Sequence, residues 1–360
     1  MVKPYFVFVG SYAERTEKGI HTLFFNPVSG TLSYIDGISG IARPAYLAAS
    51  LDKHVLYTES ETKEYQGKEG GAVVSMRIDP STGKLTYMNE AATLGGYPCY
   101  VSLVEDWMYV SNYLGASVCS FRIESSGAIG DMVQCIRFEG SSIKPVKQES
   151  PHPHSVVFDR EKRYALITDL GTDYIYVYKL HRNDGNLHFQ SKTKVHDGAG
   201  PRHVVFHPSL PHAVYLINEL DSTVCSLRLD LEEGELHVLQ TFSTLPEGFA
   251  EINKGAEIRV SPSGRFLYAA NRGHNSLAVF TIDGASGLLT PNGQTSTCGS
   301  IPRHFAITPD ERFILVANQE SNCVRVLAIN PATGHATDTG NKVELFKPTF
   351  VLPIPELPAE

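Results

Sequence analysis

The chain reads PRHVVFHP at residues 201–208 and, after a short turn, AVYLINE at residues 213–219. A proline and two polar residues open this stretch, two apolar runs of strand length follow, and a polar tip closes it. Apolar runs rich in β-branched and aromatic residues, bounded by Pro, Gly and Asn, are typical of antiparallel strands joined by a turn. The stretch therefore predicts a strand pair, and the same pattern returns along the chain with different residues in the polar positions.

Self-similarity at a steady spacing is the signature of a repeat protein. The repeats share a Pro or Gly that precedes an apolar run, and they open at Pro44, Pro98, Pro153, Pro201, Gly255, Pro302 and Pro348. A full repeat divides into four short strands, a to d, separated by turns such as DPSTG at residues 79–83. No long segment has helical periodicity, which indicates an all-β protein.

The two ends of the chain complete each other. The N-terminus supplies strands b, c and d of a repeat, at residues 5–9, 20–25 and 30–34, whereas the C-terminus supplies a lone strand a from Pro348. Seven repeats of about 51 residues on average predict a seven-bladed β-propeller with four antiparallel strands per blade. The ring closes when the C-terminal strand pairs with the N-terminal strands. No domain boundary interrupts the repeats, so we expect residues 1–360 to form a single domain.

Composition excludes several classes of function. The formal net charge of -8 at pH 7 argues against a nucleic-acid-binding protein, which needs basic patches. No apolar run is long enough to span a bilayer, and the first residues lack the basic and apolar regions of a signal peptide. We therefore expect a cytoplasmic protein with no membrane partner. None of the six cysteines forms a CxxC pair, which argues against a zinc knuckle or a thioredoxin-like motif.

Polar residues are expected to converge at one mouth of the central channel. In a propeller, strand a lines the channel and pairs antiparallel with strand b, so the start of a and the end of b lie on one face. His, Arg and Glu fill these positions unevenly, mostly in the third to sixth repeats: His154, Arg202, His203, Glu219, Glu257, Arg272, Arg303 and His304. A purely structural repeat needs no charge there, so this cluster predicts the functional site. Two longer loops, residues 140–150 and 246–254, enter the same face.

These residues carry a resemblance to a known family. HPHS at residues 152–155, GAGPRHVVFHP at 198–208, NEL at 218–220 and YAANR at 268–272 resemble the lactonase family of seven-bladed propellers. That family includes propeller-type 6-phosphogluconolactonases and fungal carboxy-cis,cis-muconate cyclases, and the resemblance covers nearly the whole chain. It implies hydrolysis of a sugar lactone, namely 6-phosphogluconolactone of the oxidative pentose phosphate route. The catalytic residues that it implies are His154, Arg202, Glu219 and Arg272.

The residue types fit lactone hydrolysis. A carboxylate or an imidazole can take a proton from water, and an arginine can stabilise an oxyanion or bind a phosphate. Glu219 and His154 are both candidates for the general base, and the choice stays open because a carboxylate flanked by arginines has a lowered pKa. Arg202 and Arg272 are assigned to anion binding. Substrate binding is assigned to His203, Glu257, Arg303 and His304.

Neither a metal nor a cofactor is expected. No His or Asp cluster has metal-ligand spacing, and neither a Gly-x-Ser-x-Gly elbow nor a glycine-rich phosphate loop occurs. Two alternatives to the lactonase stay open: a related cyclase acting on an unsaturated dicarboxylate, and a non-catalytic propeller that binds protein partners. WD-type platforms carry repeated Trp-Asp signatures, and the single tryptophan, Trp107, disfavours the second alternative. The sequence leaves the oligomeric state open and predicts a small anionic or sugar-lactone substrate as the partner.

Overall fold

Seven four-stranded sheets are arranged as the repeats predict. The structure is a computed structural model that describes residues 3–355 and 357. Within these residues the strands form seven four-stranded sheets and one two-stranded hairpin, and all the pairings are antiparallel. In each four-stranded sheet the order is a, b, c, d from one edge to the other. The prediction of an all-β, seven-bladed propeller is confirmed.

The strands are numbered in chain order, and blade 1 is the first complete repeat. The N-terminal strands are β1 (Tyr5–Ser11), β2 (Ile20–Asn26) and β3 (Thr31–Ile38). Blade 1 and its loop hairpin contain β4 (Leu47–Ser50), β5 (Val55–Ser60), β6 (Glu64–Tyr65), β7 (Lys68–Glu69), β8 (Ala72–Ile78) and β9 (Leu85–Ala92). Blade 2 contains β10 (Pro98–Val104), β11 (Trp107–Asn112), β12 (Ser117–Ile123) and β13 (Ile129–Arg137). Blade 3 contains β14 (Pro153–Phe158), β15 (Tyr164–Asp169), β16 (Tyr174–His181) and β17 (Asn186–Lys194).

The second half of the ring repeats this order. Blade 4 contains β18 (Pro201–Phe206), β19 (Ala213–Asn218), β20 (Thr223–Leu229) and β21 (Leu236–Ser243). Blade 5 contains β22 (Lys254–Val260), β23 (Phe266–Arg272), β24 (Ser276–Ile282) and β25 (Leu289–Ser296). Blade 6 contains β26 (Pro302–Ile307), β27 (Phe313–Asn318), β28 (Cys323–Ile329) and β29 (Ala336–Glu344), and the last strand is β30 (Pro348–Ile354). A 3-10 turn at Gln319–Ser321 is the only helical element of the described residues, none of which forms a helix fit to cross a membrane.

The last strand closes the ring. β30 pairs antiparallel with β1, so that Val351 lies opposite Val9 and Ile354 lies opposite Phe6. The resulting sheet has the order β3, β2, β1, β30 and forms blade 7. The predicted closure by the two ends of the chain is therefore confirmed.

Truncation after Lys347 should open the ring. The deletion removes β30 and leaves the inner edge of β1 unpaired, a template for aggregation. It also removes Phe350 and Val351, which are 3% and 1% exposed, and whose burial contributes about 3–6 kcal/mol. We expect aggregation or a large loss of thermal stability, measured by size-exclusion chromatography and circular dichroism. Truncation after Leu357 keeps β30 and is the control, and a monodisperse, β-rich protein ending at Lys347 would contradict the closure.

A buried tyrosine in strand b joins each of four blades to the next. The hydroxyl groups of these fully buried residues donate to glycine carbonyls in the c–d turn of the following blade, at 2.7–2.9 Å: Tyr57 to Gly127, Tyr109 to Gly185, Tyr215 to Gly287 and Tyr268 to Gly334. The four glycines have φ between +70° and +85°, a conformation that favours glycine. The tyrosines therefore mark equivalent positions in blades 1, 2, 4 and 5.

Candidate active site

The residue four positions beyond each bridging tyrosine points toward one mouth of the channel. It comes after a Ser or Asn and either follows the end of strand b, as Glu61, Tyr113 and Glu219 do, or is its last residue, as Arg272 is. All four line one cavity of about 310 Å³, called the upper cavity here. The other lining residues come from strand a and the loops: Tyr97, Cys99, Leu114, Lys147, His154, Lys254 and Arg303. Of the predicted site residues, the upper cavity thus brings together His154, Glu219, Arg272 and Arg303.

Glu219 is an ionised carboxylate held by two arginines. Its Oε2 accepts a hydrogen bond from Arg202 Nε at 3.1 Å and forms an ion pair with Arg272 Nη2 at 2.7 Å. Burial alone would raise the pKa of Glu219, but Arg272 and Arg202 outweigh it and hold the pKa well below its ordinary value. A carboxylate with so low a pKa is a weak proton acceptor. Glu219 is therefore better suited to positioning the two arginines than to taking a proton from water.

Arg272 combines a fixed position with an unused donor. Its Nη2 forms the ion pair with Glu219 and donates to the carbonyl oxygen of Gly255 at 2.9 Å. Its Nε is buried and has no hydrogen-bond partner in the described part of the chain. Since a buried N–H without a partner is unfavourable, Arg272 is a natural donor to an oxygen atom of a bound molecule.

Arg202 reaches Glu219 from below the upper cavity. It is 3% exposed, and its Nη1 donates to the carbonyl oxygen of Ala256 at 2.7 Å. Burial and the nearby charge of Arg272 lower the pKa of Arg202 to about 10, so the guanidinium stays protonated at neutral pH. The structure places Arg202 behind Glu219 and not in the wall of the upper cavity.

Three of the predicted substrate-binding residues lie deeper in the channel. His203, Glu257 and His304 line a lower cavity of about 10 Å³, which is large enough for about one water molecule. Arg202 also lines the lower cavity, and Arg303 lines both cavities. His203 Nδ1 donates to Glu257 Oε2 at 3.0 Å, and Arg259 Nε forms an ion pair with Glu257 Oε1 at 3.1 Å. Burial holds the pKa values of His203 and His304 well below the ordinary value, so both rings are neutral. These residues form the floor of the site, and their contact with substrate stays a prediction.

His154 stands in the wall of the upper cavity as a neutral ring. It is 5% exposed, and burial together with Arg202 holds its pKa well below the ordinary value. Cys99 Sγ lies 3.8 Å from His154 Nδ1, an arrangement that invites comparison with a Cys–His nucleophile. Burial and the charge of Glu61 raise the pKa of Cys99 well above its ordinary value, however, and a protonated thiol is a poor nucleophile.

Glu61 was missed by the sequence analysis, which names no site residue in the first repeat. β5 ends at Ser60, so Glu61 is the true counterpart of Glu219. Glu59 is fully buried, and its Oε1 accepts a hydrogen bond from the Ala45 N–H at 3.0 Å, which is a structural role. The spacing of four residues from the strand-b tyrosine would have identified Glu61.

Two lysines of the upper cavity were also missed. Lys147 belongs to the 140–150 loop, and Lys254 ends the 246–254 loop and begins β22. The buried Gln148 fixes the first loop by donating from Nε2 to Leu170 O at 2.8 Å and to Asp173 Oδ1 at 2.7 Å. Loops carry no periodic pattern, so no sequence signal distinguished these lysines from solvated ones.

The charges of the upper cavity favour an anion. Four cationic side chains line it against the two carboxylates of Glu61 and Glu219: Lys147, Lys254, Arg272 and Arg303. The local excess of positive charge opposes the net charge of -8 of the whole chain and would attract an anionic ligand. Among the described residues, no group of three or more His, Cys, Asp or Glu side chains is placed to hold a metal ion.

Comparisons with known proteins agree with this architecture. The chain matches the family described as "Lactonase, 7-bladed beta-propeller" over residues 6–353. It is 33% identical to the 6-phosphogluconolactonase of Bacillus subtilis over 303 residues, 84% of each chain. It is also 33% identical to the 6-phosphogluconolactonase of Formosa agariphila over 309 residues, 84% of this chain and 86% of that one.

A solved structure extends the likeness to the whole fold. The periplasmic gluconolactonase of Pseudomonas aeruginosa matches with a TM-score of 0.91 and 31% identity, covering 99% of this chain and 100% of that one. The family match and these relatives cover almost all of the ring. The chain therefore belongs to the lactonase family of seven-bladed β-propellers.

Proposed function

We propose that the upper cavity hydrolyses a sugar lactone, with 6-phosphogluconolactone as the substrate and 6-phosphogluconate as the product. The main support is the buried cluster of Glu219, Arg202 and Arg272, which presents a fixed guanidinium to a cavity with excess positive charge. Lactone opening requires a polarised carbonyl group, an attacking water and a proton for the leaving oxygen. The names of the relatives, 6-phosphogluconolactonase and gluconolactonase, support the same class of reaction.

Two of the four predicted catalytic residues contact the lactone in this proposal, and the other two form the ion pairs behind Arg272. Arg272 donates from its unpartnered Nε to the carbonyl oxygen of the lactone as that oxygen gains negative charge. Glu219 fixes the guanidinium groups of Arg272 and Arg202 and offsets their charge. His154 is neutral and hydrogen-bonds to the lactone instead of acting as a cationic acid. Water is the only co-reactant.

The two lysines support a phosphorylated substrate. Lys254 and Arg272 lie directly opposite each other on β22 and β23, where like charges destabilise the pair. Burial lowers the pKa of Lys254, the charge of Glu219 opposes this effect and the charge of Lys147 adds to it. Both lysines line the upper cavity. Neither ammonium group forms an ion pair with any of residues 3–355 or 357. A phosphate bound between the lysines would relieve this repulsion.

Removing both lysines should weaken binding of the phosphorylated lactone selectively. We expect Lys147→Ala combined with Lys254→Ala to raise KM for 6-phosphogluconolactone by about tenfold or more, since hydrogen bonds to charged groups contribute about 1.5–3 kcal/mol. KM for unphosphorylated gluconolactone should change little. Initial rates on both lactones, corrected for spontaneous hydrolysis, measure the effect. The exposed Lys144 of the same loop provides the control variant Lys144→Ala, and an equal change for both lactones would contradict the phosphate assignment.

A panel of lactones tests the function itself. Phosphorylated and plain sugar lactones are incubated at neutral pH, and the rates are compared with spontaneous hydrolysis. Hydrolysis of 6-phosphogluconolactone well above the spontaneous rate is the expected result. The absence of acceleration for every lactone, together with cyclisation of a carboxymuconate, would instead support the cyclase alternative.

We propose a cytoplasmic location in the pentose phosphate route for this activity. The proposed substrate is a phosphorylated sugar, whose charge keeps it inside the cell where it is formed. The six cysteines are all free thiols in the structure, in keeping with a reducing compartment.

A further inference from the structure

We infer that Glu61 is the general base that activates the attacking water. The inference rests on the proposed lactonase activity and adds a catalytic residue to it. It makes the site a two-carboxylate site in which Glu219 positions the arginines and Glu61 moves the proton.

The ring geometry places the two carboxylates at equivalent positions. Glu61 follows the end of β5 in blade 1, and Glu219 follows the end of β19 in blade 4, each four residues after a bridging tyrosine. Both line the upper cavity. They therefore reach the same space from different sides of the channel. The water bound by Glu61 and the oxyanion donor Arg272 held by Glu219 must approach the lactone carbonyl group from different sides in the same way.

The partners of the two carboxylates differ. Glu219 Oε2 is shared by two guanidinium groups, whereas Glu61 Oε1 accepts one hydrogen bond, from the Tyr12 hydroxyl at 3.2 Å. Glu61 Oε2 has no hydrogen-bond partner in residues 3–355 or 357, although the side chain is only 9% exposed. A buried carboxylate oxygen without a donor is unfavourable, and a water O–H in the cavity is a donor that would satisfy it.

The charges around Glu61 leave it a better base than its counterpart. Burial raises the pKa of Glu61 above its ordinary value, against the opposing charge of Arg303, the Tyr12 hydroxyl and the charges of Arg43 and Arg202. The neighbouring titratable groups Glu59 and Cys99 both have raised pKa values, chiefly through burial. A base with a raised pKa accepts a proton from water more readily than one with a depressed pKa.

The other cavity groups fit the task less well. The pKa of Glu219 is held well below its ordinary value, the pKa of His154 is lowered well below its own, and Cys99 stays a thiol. Of the four groups compared, Glu61 alone combines a carboxylate oxygen that has no hydrogen-bond partner in the described residues with a raised pKa.

The reaction step balances without a further reactant. Glu61 Oε2 takes a proton from water while the water oxygen forms a bond to the lactone carbonyl carbon, and the carbonyl oxygen becomes an oxyanion beside Arg272. The oxyanion re-forms the carbonyl group as the ring C–O bond breaks. The ring oxygen then receives the proton held by Glu61, which returns the carboxylate and gives the hydroxy acid.

The inference predicts a loss of turnover in Glu61→Gln. We expect kcat for 6-phosphogluconolactone to fall by about 10²–10⁴-fold, the usual contribution of a general base, with KM changed little. Calorimetry should show unchanged binding of 6-phosphogluconate. Formate should partly restore kcat in Glu61→Ala, because a small carboxylate can take the place of the missing base. Glu64→Gln, on the exposed hairpin three residues further on, is the matched control.

Tyr12→Phe gives a second, independent measurement. Phenylalanine keeps the ring that lies 4.9 Å from the Arg303 guanidinium but loses the hydroxyl that lowers the pKa of Glu61. A general base is active above its pKa and inactive below it, so the acid limb of the kcat/KM profile should move to higher pH. The plateau above that limb should remain.

The possible results separate the proposed lactonase activity from the role of Glu61. No hydrolysis by the wild type overturns the proposed function and this inference together. An active wild type with Glu61→Gln within threefold of its kcat overturns the inference and leaves the lactonase in place. Joint loss of turnover, product binding and thermal stability in Glu61→Gln, with no shift in Tyr12→Phe, would assign Glu61 a structural role and also overturn it.

Discussion

Glu219→Gln should abolish lactone hydrolysis and destabilise the protein at once. The substitution leaves Arg202 and Arg272 buried beside a neutral amide. Removing one partner of a buried ion pair costs about 3–5 kcal/mol. Because Arg272 is then no longer held against the cavity, kcat/KM should also fall by at least about 10²–10³-fold, the usual loss on removal of an oxyanion donor. Steady-state kinetics and urea unfolding measure the two effects.

The destabilisation should depend on pH with a definite sign. Burial raises the pKa of Glu219, but Arg272 and Arg202 prevail and depress it. A depressed carboxylate contributes stability above its unfolded pKa of about 4.3 and loses that stability as the pH falls toward the folded pKa. The stability difference between wild type and Glu219→Gln should therefore be complete at about pH 6 and shrink below about pH 4.

Asp221→Asn is the matched control for Glu219→Gln. Asp221 pairs with His196 at the surface, where their side chains are 24% and 41% exposed, and such pairs contribute about 0–1 kcal/mol. We expect near wild-type stability and activity from this variant. Full activity in Glu219→Gln would contradict the role of the arginine cluster.

Arg272→Lys should lower kcat strongly while preserving the charge. An ammonium group can retain one bond to Glu219, but it cannot also bond to Gly255 O and present a third donor to the cavity in the same fixed plane. We expect kcat to fall by about 10²–10³-fold, with KM affected less. Arg265→Lys, at an exposed position of the same blade, is the control. A kcat within threefold of the wild type would show that charge alone suffices and contradict the assigned hydrogen bond.

The ring could be predicted from sequence because its signals are periodic. Strands b and c repeat as short apolar runs between Pro, Gly and Asn turns, and the lone strand from Pro348 matches the incomplete repeat at the N-terminus. Each of these patterns can be recognised within a short stretch of sequence. The number of repeats then predicts the number of blades in the closed ring.

The depth and register of site residues could not be predicted in the same way. Glu59 and Glu61 are two residues apart, so alternation along a strand puts their side chains on the same side and does not separate them. Which one stands at the tip depends on where β5 ends. Arg202 and Arg303 occupy equivalent positions in the repeat, yet Arg303 lines both cavities and Arg202 lines only the lower one. Lys147 lies in a loop and Lys254 lies where a loop joins β22. Loops have no repeating sequence pattern from which the position of a side chain could be predicted.

The position after strand b also bears on how this family can diversify. Seven blades offer seven such positions at or just past the end of strand b, occupied here by Tyr12, Glu61, Tyr113, Leu170, Glu219, Arg272 and Gln319. Each belongs to a separate sheet, and its side chain points to the channel mouth and not into the apolar clusters that join neighbouring blades, so one can mutate without disturbing the packing of the others. Four of them line the upper cavity, whereas Tyr12, Leu170 and Gln319 do not. A new substrate preference can thus arise through single substitutions around a constant scaffold, and the inner circle of side chains works as a combinatorial set that selection can vary one blade at a time.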